Sequence, residues 1–200
     1  IGLNGSARAL GLKNTNLWIY PGYDHDQNVE KFSQDPEADF PVVYVSFPSA
    51  KDKAWDQDHA GYATMEAITL ARWNWYTQWQ ELPWKKRGEL YENEKEKLSR
   101  RIMDVVHRHV PGIKDAVDYL ELSTPLTVRD LANYQQGEMY GVHHTPQRFR
   151  QRWLKPRTEI KNLFLTGQDV TTVGVTSALF SGLLTASAVL KKDLTNMLKS

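Results

Sequence analysis

The sequence predicts a mixed α/β chain of the α+β type: an antiparallel sheet with helices, then a strand, a glycine turn and a long helix towards the C-terminus. Three observations predict it. β-Branched and aromatic runs recur in the first part of the chain without a helical period between them. A stretch rich in Glu, Lys, Leu and Arg follows over residues 88–109, all good helix formers. Near the end, a short apolar run stops at Gly167 and leads into an almost uncharged helical segment.

The first strand expected is Leu17-Trp18-Ile19-Tyr20, closed by the turn pair Pro21-Gly22. Residues 24–39 are polar and read as a surface excursion. The second strand is Val42-Val43-Tyr44-Val45-Ser46-Phe47, stopped by Pro48. Residues 51–58 read as a further loop, and residues 62–73 as a third strand. Runs of this kind without intervening helices imply antiparallel pairing. In the helix over 88–109, Leu98, Ile102, Val105, Val106 and His109 fall on one face, and Pro111-Gly112 ends it. Residues 113–122 return as a strand. Ser123-Thr124-Pro125 starts a new element, with a short helix opening at Thr127 as cap and Asp130 three residues on.

The last part carries the chemical information. Asn162-Leu163-Phe164-Leu165-Thr166 has the composition of a buried strand, and Gly167-Gln168-Asp169 follows it. A Thr-containing loop leads to Gly174, and residues 175–190 form a helix apolar nearly all round. Gly174, Ala178, Gly182 and Ala186 recur every fourth residue, leaving one stripe almost bare. A strand, a glycine turn and a helix start make a place for an anion or a polarised carbonyl, because unpaired N–H groups and the helix dipole point there. Residues 170–190 also hold 21 residues without a charge, long enough for a membrane span. Seven Ser or Thr residues within them favour the α/β unit instead.

Composition removes other classes. With 40% hydrophobic and 24% charged residues the chain reads as globular, and its net charge of +1 gives no field for nucleic acid. The absence of cysteine excludes disulfides and thiolate chemistry. No complete G-x-G-x-x-G, P-loop or G-x-S-x-G motif is present, and Gly2-Leu3-Asn4-Gly5-Ser6 does not supply the first. His107 and His109 fall on different helix faces, and His143-His144 are adjacent in a loop, so no metal set forms. Trp73, Trp75, Trp79 and Trp84 suit a core, an interface or a pocket for a long apolar ligand. Trp84 beside Lys85-Lys86-Arg87 also suits a membrane surface.

Several pieces in order resemble the C-terminal part of one flavoprotein family. They are Thr124-Pro125, Gly137, Tyr140-Gly141, Trp153-Leu154-Lys155-Pro156, the run from Asn162 through Asp169, and Gly174-Val175-Thr176-Ser177-Ala178. The family comprises the phytoene desaturases, carotenoid isomerases and retinol saturases within the wider amine-oxidase-like group. The resemblance implies a fragment of an FAD-dependent oxidoreductase acting on a lipophilic polyene. Residues 1–123 would belong to a substrate domain, and residues 124–200 would complete a Rossmann-like FAD-binding domain. Gly167, Gln168 and Asp169 would lie beside the ribityl-pyrophosphate, and Gly174, Val175 and Thr176 would face the flavin. The glycine-rich loop of phytoene desaturases is replaced here by Gln168-Asp169-Val170-Thr171-Thr172-Val173, closer to the saturase and isomerase branch. Asp169 near the flavin, without a counter-charge, would lower its reduction potential and favour saturation or isomerisation over desaturation. No catalytic residue is assigned. The isolated chain is expected to be inactive and to bind FAD weakly. A homo-oligomer and a cytoplasmic location with peripheral membrane contact are further expectations. The alternatives are a non-catalytic module that self-associates through its aromatic surface, and a protein anchored by its last helix.

Overall fold

The computed structural model describes residues 1–196, in two compact units, Ile1–Gly137 and Glu138–Ser200. The first unit is built on two antiparallel three-stranded sheets, with strand orders β4-β1-β6 and β2-β3-β5. In chain order it holds β1 (Gly2–Asn4), β2 (Leu17–Ile19), α1 (His25–Gln34), β3 (Val43–Ser46), α2 (Pro48–Lys51) and α3 (Trp55–Asp58). There follow β4 (Tyr62–Thr64), β5 (Glu66–Thr69), two 3-10 turns (Trp73–Trp75 and Thr77–Trp79), α4 (Glu89–His109), β6 (Val117–Tyr119) and α5 (Pro125–Ala132). The mixed fold class and the antiparallel pairing stand as the sequence implies.

The expected third strand over 62–73 is two strands in different sheets. Thr64 pairs with Gly2, whereas Glu66 pairs with Ser46. Met65 between them is fully buried, and it exchanges hydrogen bonds with Ile1: the Ile1 amino group donates to the Met65 carbonyl at 2.9 Å, and the Met65 N–H returns a bond at 3.0 Å. Composition sees one β-rich run; only the pairing shows that the chain crosses between sheets. β1 is the centre of its sheet, and no apolar alternation in three residues announced it. Gly2 lets the strands approach closely there: a Cβ would lie 3.1 Å from the Tyr119 Cβ on the neighbouring strand, which would have to give by a few tenths of an ångström.

Two stretches read as loops contain helices. α1 occupies part of 24–39; Asp24 caps it by accepting from the Gln27 N–H at 3.0 Å. Only Phe32 of this helix is buried, edge-on to Phe40 and Trp75, so no apolar period marks it in the sequence. Residues 51–58 hold the end of α2 and all of α3, each a single turn. Pro48 ends the strand as expected and also starts α2, where its missing N–H costs nothing.

β3 alternates as a half-buried strand should, with Val43 and Val45 inward and Tyr44 outward between Trp18 and Ile68. Val43, Val45, Leu3, Met65, Phe32 and Phe47 pack with Ile102, Met103 and Val106 of α4 in one core. The face read for α4 is correct at Ile102 and Val106, but His109 is exposed.

α5 starts before Thr127. Thr124 is its cap and Pro125 its first residue, while the Thr127 hydroxyl accepts the Thr124 N–H at 3.2 Å. A proline preset for the first turn moves the start back. Thr124 is also tied to the Tyr91 hydroxyl at 2.6 Å. Leu126 is completely buried beside Tyr76 and Tyr91, with Trp73, Trp75 and Trp79 around them, so these three tryptophans pack the core while Trp84 stays exposed. Burial pushes the Tyr76 phenol up to about 12. Leu126→Ala should destabilise this unit by about 2–5 kcal/mol, since the rings around it cannot close the gap. Chemical denaturation gives the value, and a loss under about 1 kcal/mol would show that the site collapses without cost.

Candidate functional site

The second unit carries α6 (Pro146–Phe149) and α7 (Val175–Leu190). The strand expected at residues 162–166 is an extended segment with a single antiparallel bridge, Arg157 to Phe164. Leu165 also donates its N–H to the Pro156 carbonyl at 2.8 Å. A strand exists through its ladder, and among the described residues only the stretch at 156–158 lies opposite. The turn and helix form as expected, with Gly174 as the cap of α7.

α7 is docked by hydroxyls. Ser181 is 0% exposed; it accepts the Gly167 N–H at 2.6 Å and donates to the Ala178 carbonyl at 2.7 Å. The Thr185 hydroxyl reaches the Leu165 carbonyl at 2.8 Å. The apolar side faces out, with Val175 88% and Leu179 77% exposed. Phe180, Val189 and Leu190 are exposed too. Gly182, on the bare stripe, has nothing within 4 Å of where a Cβ would be. With 16 residues, α7 is about 24 Å long. No helix among the described residues is long and apolar enough to cross a membrane.

The structure places the six candidate residues along one turn and helix start. Gly167 and Gly174 take φ +100° and +109°, where L-residues are strained, and neither has an atom within 4 Å of a built Cβ. Val175 and Thr176 are exposed, and their N–H groups, with that of Ser177, have no helix carbonyl to donate to. Asp169 is turned differently. Its Oδ1 accepts the Val142 N–H at 2.8 Å, and a Cβ on Gly141 would lie 2.1 Å from that oxygen. The carboxylate therefore orders the loop at Gly141.

Sequence reasoning missed the partners of this turn. His144 Nε2 accepts the Val173 N–H at 2.8 Å, and His144 stands edge-on to Phe149. The guanidinium of Arg148, 6% exposed, donates from one terminal nitrogen to the carbonyls of Gln168, Asp169 and Thr171 at 3.0, 2.7 and 3.2 Å. Its position two residues after Pro146 in a short Thr-capped turn was the available signal. Arg148 places a positive charge under the turn that holds Asp169. Arg148 donates there to backbone carbonyls and is not paired with the Asp169 carboxylate.

Two grooves of the first unit bear on a lipophilic ligand. One, of about 350 Å³ beside α4, is walled by Ile19, Tyr20, Pro21, Phe40, Val43 and Val105 together with Asp39, Arg101, Asp104, Arg108 and His109. The other, of about 260 Å³, mixes Trp84, Tyr119 and Leu131 with Arg87 and Lys95. Neither has the mainly apolar wall that a polyene needs.

The chain is 33% identical over 201 residues to the all-trans-retinol 13,14-reductase of Danio rerio, covering 97% of this chain and 33% of the relative. The Homo sapiens protein of the same name is 33% identical over 205 residues, 99% of this chain and 34% of its own length. A second Danio rerio relative, 32% identical over 203 residues (96% of this chain, 33% of the relative), is named an inactive all-trans-retinol 13,14-reductase. The chain thus spans about a third of the length of these relatives. No protein-family model matches it.

Proposed function

From its homology to the all-trans-retinol 13,14-reductases, members of the retinol saturase branch of FAD-dependent oxidoreductases, we propose that this chain is a piece of an FAD-dependent enzyme that reduces a retinoid or similar conjugated polyene. The observation that carries the reading is similarity along nearly the whole chain, 97% of its length. The geometry of the turn from Gly167 to Gly174 fits the cofactor: two glycines in left-handed backbone with open space beyond them, followed by exposed amides at a helix start. FAD, when bound, would supply the electron transfer.

In this reading Gly167 and Gly174 admit the close approach of the isoalloxazine and ribityl groups, and Val175 and Thr176 offer N–H donors to them. Gln168 and Asp169 shape the turn, Asp169 through its bond to Val142. The outward apolar side of α7 packs against the rest of the longer protein, or against a second copy where that rest is missing. The reductive direction is supported by the names of the relatives.

Two measurements test the proposal. The full-length protein should purify with a flavin spectrum and, under reducing conditions, add two hydrogens to all-trans-retinol. It should leave phytoene unoxidised. A flavin-free full-length protein, or one that desaturates phytoene and ignores retinol, sinks the assignment. The isolated 200-residue chain should bind FAD weakly or not at all, because few contacts must then meet the whole association cost. Stoichiometric flavin on the isolated chain would contradict that.

A further inference from the structure

Arg148 is the most buried charged residue of the second unit and has no carboxylate partner among the described residues. One terminal nitrogen, with two hydrogens, serves three carbonyls, so at least one N–H is shared. Its Nε and other terminal nitrogen are buried without any acceptor. The guanidinium is thus held by the Gln168, Asp169 and Thr171 carbonyls and by contact with the Phe149 ring, 5.0 Å away. Keeping a buried cation with unused donors is costly, and a fold that only needed to fill this space would do better with an apolar side chain.

The consequence lies in the peptide planes. Every peptide among the described residues is trans, so a carbonyl turned towards Arg148 turns the following N–H away from it. Collecting the Gln168 and Thr171 carbonyls therefore directs the Asp169 and Thr172 amides to the opposite side of the turn. Neither amide donates to a described residue. Two more bonds strap the same turn from the same segment: Val142 to Asp169 and His144 to Val173. Those straps fix side chain and loop end; in the middle, Arg148 holds three carbonyls and the Val170 N–H closes back on the Gly167 carbonyl at 3.2 Å.

We propose that Arg148 is a positioning residue that gathers the carbonyls of Gln168, Asp169 and Thr171 and so holds the Asp169 and Thr172 amides outward, as donors to the flavin nucleotide. This rests on the flavoprotein reading above. Arg148 does not touch the ligand, since its free nitrogens are covered by protein.

The test uses the full-length protein with Arg148→Met and Arg148→Lys. Arg148→Met should raise the dissociation constant for FAD at least tenfold. Arg148→Lys keeps a cation that reaches some of the carbonyls, and should recover part of that loss. Amide hydrogen exchange over residues 168–173 should speed up in the same order, with or without flavin. A lower melting temperature with unchanged FAD affinity and unchanged exchange at the turn, in either variant that folds, would overturn the proposal. If the parent protein carries no flavin, the flavoprotein reading fails, and the exchange data alone decide whether Arg148 clamps the turn.

Discussion

In the full-length protein, Gly174→Leu is expected to abolish detectable flavin binding while the protein stays folded. Gly174 has φ +109° and ψ 160°, a region that an L-residue occupies only under strain, of order 1–3 kcal/mol. Nothing lies within 4 Å of its Cβ position, so the substitution causes no clash inside the unit. The helix start can relax when no ligand is present, and the cost then falls on binding, since the ligand needs the strained form. Gly174→Ala separates the two contributions. It adds strain with little bulk and should weaken FAD by about tenfold, equivalent to ~1.4 kcal/mol. Leucine adds a branched side chain on the approach side and removes what remains. Asp169→Ala should be milder, because its carboxylate is spent on the Val142 amide. Normal flavin content in Gly174→Leu, measured by absorbance per polypeptide, would show that the helix start is not where the flavin lies.

The second large effect is on stability, in the first unit. The Arg87 side chain is 1% exposed and forms an ion pair with Asp130, which is 16% exposed. Arg129 adds a bond to the other oxygen of Asp130 at 3.0 Å. Desolvation pushes the Asp130 carboxyl up, but the bonds from Arg87 and Arg129 outweigh it and hold the group below its usual 3.8. A carboxyl depressed in the folded state stabilises fully above its unfolded value. That stabilisation is lost as the pH falls through the lower folded value. Asp130→Asn removes the charge at every pH and leaves Arg87 buried without a counter-ion, an expected loss of about 3–5 kcal/mol at neutral pH. The parent should lose part of its stability between roughly pH 4 and the lower folded value, and the variant should show a flatter profile there. Urea unfolding at several pH values measures both. Parallel acid profiles would mean that Asp130 does not set this limb.

Legibility from sequence followed the range of the interactions. α4 was readable because 21 consecutive residues share one period and good helix propensity. β2 and β3 were readable from composition and stop signals within their own few residues. The crossing at Met65, the central place of β1 and the single buried anchor of α1 were not, because each is decided by a residue far along the chain. The candidate site divides in the same way. Gly167 and Gly174 show in the sequence as turn glycines, and the structure gives both the backbone that only glycine tolerates easily. Arg148 and His144 were hard to read as partners: the Thr145-Pro146 cap marks the short helix that carries Arg148, but not the turn at 168–173 that folds over both side chains. The strand expected at 162–166 failed for a related reason: apolar composition shows a capacity to pair and does not name the partner.

The hydroxyl docking of α7 has a mechanical consequence. A helix seated by apolar contact alone can roll about its long axis at small cost, because such contacts have no direction. α7 is keyed, like a shaft in a slot: Ser181 grips the Gly167 amide, and Thr185, one turn further on, grips the Leu165 carbonyl. Two directional bonds a helical turn apart fix the angle of rotation. They therefore fix which way the free amides of the first turn aim and which way Val175 and Leu179 project. Cutting either key should loosen that angle, with the Thr171 hydroxyl on the Ser177 carbonyl and Arg157 on the Ala188 carbonyl left to hold the helix ends.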